Sequence, residues 1–190
     1  MPDALLKKET RWTYRDYREW DLKEGERYEI IYGVAYAMSV PNDSHQAISI
    51  ALVAKFYTFL EGKPCKVRAA PYDVRLFYEE DESDDTVVQP DLTVICDEKK
   101  RGYEGCRGAP DLIVEILSPS NTVIEMDRKF DLYLTAGVRE YWVAAPEEKV
   151  IHVHRFQDGK MSTRIYGPDE AAASDILPGL EVSLKQVFAE

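Results

Sequence analysis

The sequence predicts an α/β fold in which a mixed central β-sheet is flanked by helices. Short runs rich in Val, Ile and Tyr are bounded by Gly, Pro, Asn or Asp, as strands are. Two longer segments repeat apolar residues at helical spacing. Through the middle of the chain the order is helix, three strands, helix, strand, which sets helices against a sheet rather than in a separate bundle.

Each element has a local cause. Thr13 is placed to cap a short amphipathic helix reaching Leu22, and Gly25 stops it. Residues 27–31 and 34–38 flank Tyr32-Gly33 and read as a tight hairpin. Pro41-Asn42-Asp43-Ser44 opens a helix over about 45–60 that Gly62 and Pro64 end, with Ile48, Leu52, Phe56 and Phe59 as its buried stripe. Strands are expected at 66–77, 87–96 and 111–118. A helix over about 124–136 is stopped by Gly137, and a strand at 140–145 follows. Residues 150–156 and 160–166 make a hairpin around Asp158-Gly159, a strong turn dipeptide, and 183–189 forms a short terminal helix.

A chain of 190 residues, 45% hydrophobic and without a linker-like stretch, is expected to fold as a single domain over 1–190. Its apolar runs fall short of the ~20 residues of a membrane span, and the N-terminus lacks the apolar core of a signal peptide. A cytoplasmic protein with no membrane partner is expected. Cys65, Cys96 and Cys106 are odd in number and lack Cys-x-x-Cys spacing, so incidental thiols are expected rather than a disulfide framework or zinc site. The net charge of −11 opposes nonspecific adhesion to nucleic acid. Part of that charge lies in residues 79–85, which read as a solvated loop, and Lys99, Lys100, Arg101 and Arg107 gather on what reads as an exposed hairpin loop.

The chemistry starts from Pro-Asp, which occurs at Pro90-Asp91 and Pro110-Asp111, each time before a β-type run. The second run contains Glu115, an acid in an apolar strand that is costly to bury without a cation or donor. If the two runs form an antiparallel hairpin centred on Tyr103, residues whose numbers sum to 206 face each other, Asp91 and Glu115 among them. Directly opposed Cβ atoms lie ~4.5–5.5 Å apart on one face, close enough for two carboxylates to share a cation. A slip of one residue would send them to opposite faces. Asp111 lies ~13 Å from Glu115 along the strand, which suits a structural role at the strand start.

Two such acids repel, and a hard ion such as Mg²⁺, or Mn²⁺ in its place, relieves this through oxygen ligands, with the Ile116 carbonyl completing the set. The alternative is that buried Arg or Lys side chains pair with them. Lys129 falls just outside the apolar arc of Met126, Phe130, Tyr133 and Leu134, from where a long side chain can carry its ammonium to the sheet. There it would steer or deprotonate water attacking a phosphodiester, unless it is a solvated boundary residue. His152 and His154 alternate on one strand face and, lacking acidic or Cys partners, read as surface residues.

Taken together, Gln89-Pro90-Asp91, the run from Pro110 to Ser120, Asp127, Lys129, Tyr133, Ala136-Gly137-Val138 and Glu140-Tyr141-Trp142-Val143 resemble the Uma-two family, bacterial proteins assigned as endonucleases of the PD-(D/E)XK superfamily. The resemblance implies a restriction-endonuclease-like fold, DNA as partner, Asp91 and Glu115 as metal ligands, and a metal-dependent endonuclease activity. The superfamily lysine stands two residues after the glutamate, where this chain has Leu117, and Lys129 on the next helix becomes its substitute. Ala145-Pro146 also departs from the family's Asp-Pro. Glu29 and His45 match polar positions of the family and either approach the metal or serve as a turn contact and a helix cap. Two rivals remain open: a nuclease-like scaffold that binds nucleic acid or protein without catalysis, and a homodimeric interaction protein using the aromatic strands over 28–36.

Overall fold

The computed structural model describes residues 11–119, 121–157 and 159–189. Its first helix, α1 (Tyr14–Arg18), carries the expected Thr13 cap but is one turn shorter than its sequence pattern, and Asp16 reciprocates the capping bond. Strands β1 (Tyr28–Ile31) and β2 (Val34–Ala37) form the expected hairpin. Both turn residues take positive φ, Tyr32 at 50° and Gly33 at 78°, as a two-residue hairpin turn requires. Helix α2 (Asp43–Leu60) starts at Asn42, whose side chain accepts from the His45 amide at 2.8 Å. Its buried stripe is Ile48, Leu52, Phe56 and Leu60, with Phe59 packed at the margin.

Two long strands expected from the sequence are each broken by proline. Residues 66–77 divide into β3 (Lys66–Ala69) and β4 (Val74–Arg75) across the cis bond Ala70–Pro71. Residues 87–96 divide into β5 (Val87–Val88) and β6 (Leu92–Ile95) across Gln89-Pro90-Asp91. Proline lacks the N–H that continues a ladder, so the chain leaves one sheet and enters another at each break. The stretch expected as a loop after β6 holds a short 3₁₀ turn and the ribbon β7 (Arg101–Gly102) and β8 (Gly105–Arg107), which carries the basic residues. Then come β9 (Leu112–Ile116), α3 (Val123–Ala136), β10 (Glu140–Ala145), β11 (Val150–Gln157), β12 (Lys160–Tyr166), β13 (Ala171–Ala173), β14 (Glu181–Ser183) and α4 (Leu184–Val187). Asp158 of the expected turn dipeptide lies outside the described residues.

Two mixed six-stranded sheets result, ordered β2-β1-β5-β4-β8-β7 and β12-β11-β10-β9-β6-β3, where the sequence suggested one. In the second, β9 and β10 run parallel with α3 as the crossover, and the other neighbours are antiparallel. One face of that sheet, through Leu92, Val94, Leu112, Val114 and Trp142, packs on α2 and the C-terminal segment. The other, through Ile95, Ile113, Tyr141 and Val143, packs on α3 and the first sheet. The hairpin weighed as a dimer surface buries Tyr28, Ile30 and Ile31 in the protein itself and exposes Tyr32 and Val34.

Two charge and cysteine expectations are corrected. The acidic run is only partly solvated, because Asp84 is buried in an ion pair with Arg75, and Asp85 and Glu82 pair with Arg11 and Arg18. Cys65 and Cys96 form a disulfide between strand ends, since the β3–β6 register that opposes Lys66 to Ile95 sets them face to face. Spacing along the chain could not reveal that pair; only Cys106 remains a buried free thiol.

Candidate active site

Glu115 is the fourth residue of β9 and shares its face with Ile113, so it points toward α3 rather than α2. Leu92 pairs with Val114 and Thr93 with Ile113, which is the register expected from the sequence; one further step sets Asp91 opposite Glu115. Both carboxylates line one cavity, together with Glu29, His45, Ile116 and Lys129.

Asp91 stands in the bend before β6, held by what surrounds its carboxylate. Its Oδ2 accepts from the Ile116 amide at 2.7 Å and lies 3.3 Å from His45 Nε2. Ile116 also lines the cavity, beside His45. The bond from His45 to Asp91 raises the imidazole above its ordinary pKa, against the opposing effect of burial.

Lys129 reaches the sheet, but from a different face than the expected arc: Leu132 and Tyr133 are buried and Leu134 is exposed, so Lys129 lies within the buried side of the helix rather than at its edge. The helix is set by a capping box between Thr122 and Glu125, and its fully buried Tyr133 anchors the next turn. Lys129 Nζ lies 2.9 Å from Glu115 Oε1 and 3.1 Å from Glu29, and the Tyr133 hydroxyl donates to the same Glu115 oxygen at 2.6 Å. Burial pushes the Glu115 carboxyl up to about 7; Lys129 opposes that, while Asp91 and Glu29 reinforce it. Burial alone would lower the Lys129 ammonium, but Glu115 and Glu29 hold it above its ordinary value. It is therefore a fixed cation at neutral pH.

Two further residues, Tyr133 and Gln89, complete the scaffold; both stand in the motifs of the resemblance, where neither has a role of its own. Gln89 donates its amide N–H to Glu29 Oε1 at 2.9 Å, while its side chain accepts from Arg27 Nε at 2.9 Å and donates to Asp73 at 2.7 Å. A residue that works by joining segments distant in sequence has no local pattern that states its role. Glu29 and His45 both line the cavity; the cap of α2 is Asn42. Asp111 accepts from the Cys96 amide at 2.7 Å and pairs with Arg139, a structural placement.

Two carboxylates, Glu29 and Glu115, meet Lys129, while Asp91 stands beside His45, and this concentration of acids in one cavity suits a cation. Among the described residues no three His, Cys, Asp or Glu side chains converge into a ready-made metal cage. That donor set disfavours a closed transition-metal centre and fits a hydrated hard ion, which takes one or two carboxylates and keeps several waters.

Known proteins share this fold. A crystal structure titled as a putative nuclease belonging to DUF820, from Anabaena variabilis ATCC 29413, superposes with a TM-score of 0.73 over 94% of this chain and 98% of that one, at 21% identity. An uncharacterized protein of Synechocystis sp., slr1290, is 29% identical over 118 residues, or 62% of this chain. The chain spans 60% of the length of that relative. No helix among the described residues is long and apolar enough to cross a membrane. Residues 14–185 match the Uma2 family, described as "Putative restriction endonuclease", and the chain belongs to that family.

Proposed function

We propose that this protein is a metal-dependent endonuclease that hydrolyses phosphodiester bonds in DNA, with Asp91, Glu115 and Lys129 as its reactive groups. The observation that carries the reading is the delivery of the Lys129 ammonium to within 2.9 Å of a strand carboxylate that faces Asp91 across the sheet. Asp91, Glu115 and the Ile116 carbonyl would hold Mg²⁺ or Mn²⁺, with His45 Nε2 beside them. When bound, that ion supplies Lewis acidity and a more acidic water.

The protein's own groups do the rest. Lys129, kept protonated by two acids, offsets charge that develops on the phosphate instead of accepting the water's proton. Glu29 and Tyr133 orient it: Glu29 holds the ammonium from one side, and the Tyr133 hydroxyl pins the Glu115 oxygen to which it binds. Gln89 fixes Glu29 in turn.

A scaffold that binds nucleic acid or protein without catalysis is the second reading. The full engagement of Lys129 by Glu29 and Glu115 favours it. Purified protein is expected to cleave DNA with Mg²⁺ and to lose at least about 100-fold of that rate in Glu115→Ala with its circular dichroism retained. Equal cleavage by the variant would remove the nuclease assignment, and cleavage absent from both, with no Mg²⁺ uptake by calorimetry, would select the second reading.

A further inference from the structure

A second cavity of about 320 Å³ opens beside the carboxylate cluster, near the lower end of the ~300–1,000 Å³ of small-molecule sites. The two cavities share His45, Ser118 and Asn121 as a common wall. We propose that this neighbouring cavity receives one unpaired nucleobase of the substrate, an inference that rests on the nuclease reading and makes single-stranded or locally opened nucleic acid the substrate class.

The lining selects a base over a phosphate. Leu117, Pro119 and Pro146 offer apolar surface for a planar ring. Glu147 and Glu148 stand exposed in the turn that joins β10 to β11, next to Pro146, and line the same cavity. Carboxylates repel a phosphate, yet they accept hydrogen bonds from exocyclic amines. Cytosine, adenine and guanine each carry such an amine; thymine and uracil carry none.

Asn121 adds the complementary donor. Its Oδ1 accepts from the Ser118 amide at 2.7 Å and the Ser118 hydroxyl at 3.1 Å, so the group it has to offer a ligand carbonyl is its NH₂. A base within a duplex keeps its pairing edge engaged and cannot enter without leaving the stack. Because His45 and Asn121 belong to both cavities, a base lodged in one carries its flanking phosphodiester toward the other.

The test reads binding, not catalysis. The full chain in EDTA at pH 8 and low salt is titrated into fluorescein-labelled oligo(dC) and oligo(dT), with anisotropy as the signal. Oligo(dC) is expected to bind about five- to tenfold tighter, as one or two base-edge hydrogen bonds imply. A mixed-sequence single strand is expected to bind more tightly than its duplex. The double substitution Glu147→Ala and Glu148→Ala, confined to an exposed turn, should bring the two affinities together while circular dichroism stays unchanged. Equal affinities for the unmodified chain, an unchanged ratio in the variant, or no binding of either strand would overturn the subsite. The nuclease reading is judged apart from this, by Mg²⁺-dependent cleavage and its loss in Glu115→Ala.

Discussion

At the residue scale the decisive quantity is the proton on Glu115. Burial and two neighbouring acids raise its pKa to about 7, so near neutrality the carboxyl is divided between a neutral and an ionised form. A cation binds only the ionised form and displaces the proton. Since the folded group is raised, protonation competes with metal below pH 7 and ceases to matter above about pH 8. Mg²⁺ affinity is therefore expected to be flat above that point and to weaken about tenfold per unit below it, with a proton released. Calorimetric titration in buffers of different ionisation enthalpy measures both; an affinity independent of pH from 6 to 8 would separate Glu115 from the metal. The presence of this acid was legible because a charged residue interrupts an apolar run. Glu29 was named only through the family resemblance, and the support that Gln89 gives Glu29 was not legible, because the two meet from segments distant in sequence.

At the element scale, the β7–β8 ribbon shows how tightly the first sheet is assembled. Strand β8 docks parallel to β4, with the Cys106 amide donating to the Asp73 carbonyl at 2.8 Å. That approach needs Gly105, whose φ of 139° suits no L side chain and whose added Cβ would fall within contact distance of Asp73 backbone. Gly105→Ala is expected to lower stability by about 1–3 kcal/mol in urea unfolding, through overpacking and an unfavourable backbone angle. An unchanged midpoint would mean that the ribbon is peripheral. Asp73 also accepts from Gln89, so the ribbon is one bond removed from the scaffold of the site. Helix and hairpin identity were legible here from caps, turn dipeptides and periodicity. Strand ends were not, because Pro71 and Pro90 moved the chain between sheets, and a preference for extended backbone does not say which sheet a segment joins.

At the scale of the whole molecule, the Cys65–Cys96 bond ties the edge strand β3 to β6, whose N-terminal neighbour is Asp91. The bridge spans 31 residues of sequence, and in the chain-entropy account a loop of that size stabilises the folded state by about 3–4 kcal/mol. Reduction by dithiothreitol should lower the urea midpoint by a corresponding amount. Cys65→Ser should reproduce that shift and make the protein insensitive to the reductant. A midpoint unmoved by reduction would show that register and packing alone hold β3. Such a crosslink persists in oxidising surroundings and opens in reducing ones, so the strength of this edge depends on its compartment.

The sequence alone determined the class of fold, the two long helices, the hairpins and the register that opposes Asp91 to Glu115. Those properties are local or follow from alternation, and each residue carries them in its own propensity or in its spacing from near neighbours. Tertiary structure decided the division into two large sheets, the disulfide, the burial of Asp84, the convergence of Glu29 and His45 on the cavity of the two acids, and the support of Glu115 by Tyr133 and of Glu29 by Gln89. These depend on which surfaces pack together after the elements form. That choice is made by the summed burial of many side chains, and no single stretch of sequence records it.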